Sequence, residues 1–203
     1  VKFRKLALGI LAIGVWFGSS SAYGQSKAID GNKSSLKIRV LKSGAFAAFA
    51  HDHEIEAPIA EGTIDASDHS SEDHGSDHAS VYLRVESGKM RVLDPEISAD
   101  ARADIEHTMR SAKVLDVEKF PEIFYQSTSV TGRGEARWEV RGDLTLHGKK
   151  QRVVVDVSLA SGHYRGSASI KQSDFGIDPI RIAGGTVKVK DELKIEFDIV
   201  AAQ

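Results

Sequence analysis

With 203 residues, no cysteine and a formal charge of −2 at pH 7, the chain is the size of one domain and must be held by packing. Disulfides, thiolate metal sites and cysteine nucleophiles are excluded. The 27 basic residues are interspersed among 29 acidic ones without a cluster, which excludes a nucleic-acid backbone as partner.

Lys2, Arg4 and Lys5 precede an apolar run from Leu6 to Phe17 and small residues from Gly18 to Ala22. This pattern predicts an export signal peptide over residues 1–24, with Ala22-Tyr23-Gly24 placing the cut before Gln25. A membrane anchor, the alternative, wants about 20 apolar residues, and this run is shorter. No later segment is expected to form an integral membrane helix. Residues 25–203 are then expected as one domain, more acidic than the whole chain because the leader carries only positive charges.

Leu36, Ile38 and Val40 alternate with Lys37 and Arg39, the period of a half-buried strand. A second strand is expected over Ile55 to Ala66. The run from Ser67 to Ser80 is Ser, Asp, Glu and His with almost nothing apolar, so a surface loop is predicted over 67–80. Val81, Leu83 and Val85 resume the alternation. From Ser98 to Ala112, Ile105 and Met109 lie four apart, with Asp100 and Asp104 early and Arg110 late, which predicts a short helix. Pro121 then restarts extended chain.

Further strands are expected over Ile123 to Val130, Ala136 to Leu146, Arg152 to Leu159 and Tyr164 to Ile170. Turn signals at Thr131-Gly132-Arg133-Gly134, His147-Gly148 and Ser161-Gly162 separate them. In the final run Val187, Val189, Leu193, Ile195, Phe197 and Ile199 keep one parity, while Lys188, Lys190, Lys194, Glu196 and Asp198 keep the other. Asp191 falls on the apolar parity, and because an unpaired buried carboxylate is costly, a bulge or turn is expected there. About eight strands with short links predict an all-β antiparallel barrel, with a sandwich as the competing layout.

The 67–80 loop holds Asp68-His69, Asp73-His74 and Asp77-His78, and carboxylate with imidazole suits Zn²⁺ or Cu²⁺. Metal binding through His69, His74 and His78, together with His51 and His53, is therefore an alternative function. Against it, the spacing imposes no ligand geometry, and ordering such a loop costs about 1–2 kcal/mol per residue. His51 and His53, one residue apart on an extended segment, point to the same side. Facing inward, they would ligate metal, bond a ligand head group or satisfy buried carbonyls. No nucleophile elbow, phosphate-cradling loop or dinucleotide fingerprint occurs, so no catalytic residue and no cofactor are expected. Phe46, Phe49, Phe124, Tyr125, Trp138, Phe175 and Phe197 are expected in the core, which in a barrel also lines a pocket.

Ordered motifs add a family likeness. They are Phe49-Ala50-His51-Asp52-His53, Asp94-Pro95, Val114-Leu115-Asp116 leading to Phe120-Pro121-Glu122-Ile123, and Tyr125-Gln126-Ser127-Thr128. Gly142-Asp143-Leu144-Thr145-Leu146-His147-Gly148 and Ser173-Asp174-Phe175-Gly176-Ile177 follow and are the most telling. On these the chain resembles the YceI-like family from about Lys33 to Val200. Two features depart from it: Lys149-Lys150-Gln151-Arg152 replaces a valine-threonine-lysine-proline type run, and the acidic-histidine loop is an addition. The resemblance implies an extended, lipocalin-like, eight-stranded antiparallel barrel that holds a long isoprenoid or fatty-acyl chain along its axis in the bacterial periplasm.

The expected role is binding, transport or storage of such a lipid without catalysis, a homodimer being left open. The expected apolar ligand contacts are Ile38, Val40, Phe46, Phe49, Leu144, Leu146, Val155, Phe175, Ile195 and Phe197. His51, His53 and Asp174 are the expected polar ones.

Overall fold

The computed structural model describes residues 26–43, 52–66, 79–182 and 187–202. The expected leader lies outside them, as does most of the acidic-histidine loop. In chain order the strands are β1 (Lys27–Ala28), β2 (Ser35–Ser43), β3 (His53–Glu56), β4 (Ile59–Asp65), β5 (Ser80–Glu86) and β6 (Arg91–Val92). After helix α1 (Ala99–Arg110) come β7 (Glu122–Gly132), β8 (Arg137–Leu146), β9 (Lys149–Ala160), β10 (His163–Lys171), β11 (Arg181–Ile182) and β12 (Val187–Val200).

All pairings are antiparallel within one sheet of order β1-β4-β5-β7-β8-β9-β10-β12-β2-β3-β6, with β11 on β12. The described residues thus form twelve strands, which corrects the expected eight. One cause is Pro58, which has no N–H for a ladder and divides the expected Ile55 to Ala66 strand into β3 and β4. The other is that β1, β6 and β11 have two residues each, too few for a period to be read.

The sheet curls round on itself. β3 and β4 lie near opposite ends of the strand order, yet only Ala57 and Pro58 join them. At the other seam Ile29 bridges Ala201, while the Asp30 N–H donates to the Val200 carbonyl at 2.8 Å and the Ala202 N–H to the Ala28 carbonyl at 2.7 Å. Curling requires tight, correctly handed hairpins. His147 and Gly148 take φ of 51° and 70°, and Ser161 and Gly162 take 52° and 81°. Two successive positive φ values match the right-handed twist of the strands they join.

Two irregularities decide which side chains face inward. The β12–β2 register shifts between Val189 and Leu193, around Asp191, as the sequence parity requires. Asp191 accepts from the Ser173 hydroxyl at 2.6 Å and the Ser173 N–H at 2.8 Å, and these bonds hold its carboxyl below the usual range. In β7 a shift between Ser127 and Ser129 lets Tyr125 and Val130, of opposite parity, both reach the interior.

The expected helix forms, with the Ser98 hydroxyl accepting from Ala101 N–H at 3.2 Å as N-cap and Met109 buried. It also covers the last strand of the sheet. Glu106 accepts the Val92 N–H at 2.9 Å, and Arg102 donates to the carbonyls of Val92 and Asp94 at 2.8 and 2.6 Å. Arg110 donates to the Met90 carbonyl at 2.9 Å. Side chains of α1 thus take the place of a further strand along β6. Among the described residues no helix is long and apolar enough to cross a membrane.

Candidate ligand cavity

Period-two alternation puts Leu36, Ile38 and Val40 of β2 on the inner face of the sheet. There they stand opposite Phe197, Ile195 and Leu193 of β12. Val140, Leu144 and Leu146 of β8 and Val153, Val155 and Val157 of β9 continue the wall, and Ile105 and Met109 of α1 contribute from the helix. Together they enclose a cavity of about 910 Å³.

The burial of these side chains records the void. Val85, Met109, Leu115, Leu146 and Val153 are all buried, in the manner of a packed core. Leu36, Ile38, Leu83, Tyr125, Trp138, Leu193, Ile195 and Phe197 line the same space but are only half-buried, because their inner surfaces face the cavity. Protein interiors are otherwise packed to crystal-like density. Two glycines keep the space open. A Cβ on Gly142 would collide with the Tyr125 ring, and one on Gly166 with the Phe197 ring, so both aromatics lie close against the wall.

Polar groups are few. The Nδ1 of His53 meets Asp94 Oδ2 at 2.6 Å, while Asp94 Oδ1 accepts the Glu54 N–H at 2.8 Å. The carboxylate accepts the Nδ1 proton and so leaves Nε2 as the ring nitrogen for the cavity. Lys42, Asp104, Thr108 and Lys188 also contribute to the lining, and Asp65 does so near the end of β4.

Burial, followed by the nearby Asp143 carboxylate, pushes the Tyr125 phenol up to about 12. Its hydroxyl lies 3.4 Å from the Val140 carbonyl. A phenol held neutral in the fold stabilises it fully below its unfolded value of about 10. That contribution is lost as the pH rises through the folded value near 12. Urea midpoints measured at about pH 9 and about pH 11.5 should therefore fall with pH in the parent, and fall less in Tyr125→Phe.

Of the expected contacts, Ile38, Val40, His53, Leu144, Leu146, Val155, Ile195 and Phe197 all line this one cavity. Phe46, Phe49, His51, His69, His74 and His78 lie outside the described residues, among which no group of three or more candidate metal ligands occurs. Asp174 and Phe175 do not line the cavity, against expectation. Both belong to a 3-10 turn, Gln172–Phe175, that Gly176 ends at φ +74°. The turn packs Phe175 into the wall at 1% exposure and leaves Asp174 in solvent, its carbonyl accepting from Gln151 at 2.9 Å. This turn sits where β9 and β10 part, beyond the Asp156–Ser167 pair.

Sequence reasoning missed Lys42, although it continues the parity of Leu36, Ile38 and Val40. It also missed that Asp94 orients His53, a contact across 41 positions that no local period reports.

A family model described as the YceI-like domain matches residues 28–201. A UPF0312 protein of Vibrio cholerae is 30% identical over 104 residues, which cover 46% of this chain and 53% of that one. A UPF0312 protein of Pseudomonas fluorescens is 32% identical over 162 residues, covering 59% and 81%. The chain spans about half the length of the Vibrio cholerae relatives it matches. In fold it is similar to the crystal structure of Burkholderia cenocepacia BcnA, at a TM-score of 0.67 and 17% identity over 86% of this chain and 99% of that one.

Proposed function

Since the chain belongs to the YceI-like family, we propose that it is an exported, periplasmic carrier that takes the tail of a polyisoprenoid or fatty-acyl lipid reversibly into its cavity. The observation that carries this reading is the apolar void of about 910 Å³ between the curled sheet and α1. Export rests on the leader pattern from Lys2 to Ala22. Burying a tail of about sixteen carbons releases about 13 kcal/mol at about 0.8 kcal/mol per methylene. Association and ordering cost several kcal/mol of that, leaving a Kd of about micromolar. No covalent step is needed.

The test is titration with a fluorescent polyene fatty acid. Its emission should rise on mixing and saturate at one probe per chain. Ala168→Trp, which fills space beside Ile195, should weaken binding by at least about tenfold, whereas Val154→Ala on the outer face should leave it unchanged. A probe whose emission does not rise with the parent protein would end the carrier reading.

A further inference from the structure

One side chain of the inner wall carries a lone pair that the fold leaves unused. His53 of β3 stands directly opposite Val40 of β2, as Ile55 stands opposite Ile38, and all four line the cavity. Asp94 holds the imidazole from its other side. Oδ2 meets Nδ1 at 2.6 Å, while Oδ1 accepts the Glu54 N–H at 2.8 Å. An ionised carboxylate only accepts, so the proton of this bond sits on Nδ1, and in the neutral ring Nε2 is an acceptor. Among the described residues Nε2 has no hydrogen-bond partner.

The neighbours of His53 in the lining, Val40 across the ladder and Ile55 along the strand, are aliphatic. The charged groups of the lining are Lys42, which is not free, Lys188 at the start of β12, Asp104 of α1 and Asp65 at the end of β4. None of them hydrogen-bonds His53 among the described residues. A polar atom facing an apolar interior is costly to leave without a partner. A tail lying along Leu36 and Ile38 brings its end to Val40 and His53, where an O–H supplies the missing donor. An ether oxygen has no proton to give, and an ammonium brings its charge to the end that already holds Lys42 and Lys188.

We propose that Nε2 of His53, its tautomer set by Asp94, forms a head-group subsite that accepts the O–H of an uncharged, hydroxyl-terminated amphiphile. This rests on the carrier reading and specifies its head group. One neutral hydrogen bond favours the alcohol over an isomeric ether by about fivefold. Asp94 is a positioning residue in this scheme. In Asp94→Asn the remaining oxygen serves the Glu54 N–H, and the amide nitrogen donates to Nδ1, which moves the ring proton to Nε2. Nε2 then donates, and alcohol and ether oxygens accept from it alike.

The experiment displaces a neutral fluorescent hydrocarbon probe with hexadecanol, its isomer pentadecyl methyl ether and hexadecylamine, for the parent, His53→Phe and Asp94→Asn. It is run at about pH 8.5, above the ordinary imidazole range. In the parent hexadecanol should compete about fivefold more tightly than the ether, with hexadecylamine weaker than hexadecanol. Both variants should abolish the preference for alcohol over ether. Imidazole nitrogen chemical shifts should show the proton of His53 on Nδ1 in the parent and on Nε2 in Asp94→Asn, a change that a merely structural role for Asp94 would not produce. Equal binding of ether and hexadecanol by the parent, tighter binding of hexadecylamine, persistence of the preference in either variant, or a parent ring protonated on Nε2 would overturn the subsite and leave the carrier intact. Failure of all three compounds to displace the probe would overturn both.

Discussion

Gly148→Val should unfold at a much lower urea concentration than the parent, with a loss of about 2–5 kcal/mol. Two costs add at this site. Gly148 holds φ at +70°, where a β-branched side chain loses about 1–2 kcal/mol. A Cβ there would also overlap the Phe120 ring, and forcing extra volume into a packed site costs about 1–3 kcal/mol more. Gly162 supplies the control. Its φ is +81°, but nothing lies within 4 Å of the position a Cβ would take. Gly162→Val should therefore lose only the conformational part, about 1–2 kcal/mol. Equal midpoint shifts for the two variants would show that Phe120 does not constrain the hairpin.

Asp94→Ala comes second, at about 2–4 kcal/mol. The Asp94 side chain is 11% exposed, and it serves the His53 ring and the Glu54 N–H at once. Truncation leaves both donors without their acceptor, at about 1–3 kcal/mol for each buried group left unpaired. His53 is partly solvated, with 25% of its side chain exposed, which keeps the total below the sum of two full penalties. Asp94→Asn retains one acceptor for Glu54 and should lose about half as much. A midpoint for Asp94→Ala indistinguishable from the parent would rule out Asp94 as the anchor of β3.

The inner wall was legible because its signal is local. The parity of Val153, Val155 and Val157, and of Leu193, Ile195 and Phe197, follows from the pleat alone, and the sheet pairs these residues as that pattern requires. The Asp191 irregularity was legible for the same reason. Side chains placed by distant segments were not. Phe175 and Asp174 belong to a motif rich in family signal, but a left-handed Gly176 and the divergence of β9 from β10 set their directions. The pairing of Asp94 with His53, and of Arg102 and Glu106 with β6, depends on where the chain returns after many residues. In β7 the bulge at Ser127 and Ser129 interrupts the period that sequence reasoning relies on.

The way α1 closes over β6 bears on self-association. An open strand edge invites a neighbouring molecule to dock its own backbone and begin a fibre. Here Val92 has both its amide and its carbonyl occupied by the helix, and the opposite terminus of the ladder is a two-residue strand stitched to Ala201 through Ile29. Outward side chains such as Lys190, Lys194 and Arg152 are exposed elsewhere on the sheet for neighbouring molecules to meet. At these two ends of the ladder, then, raising the ionic strength should alter self-association more than any pairing of backbones does.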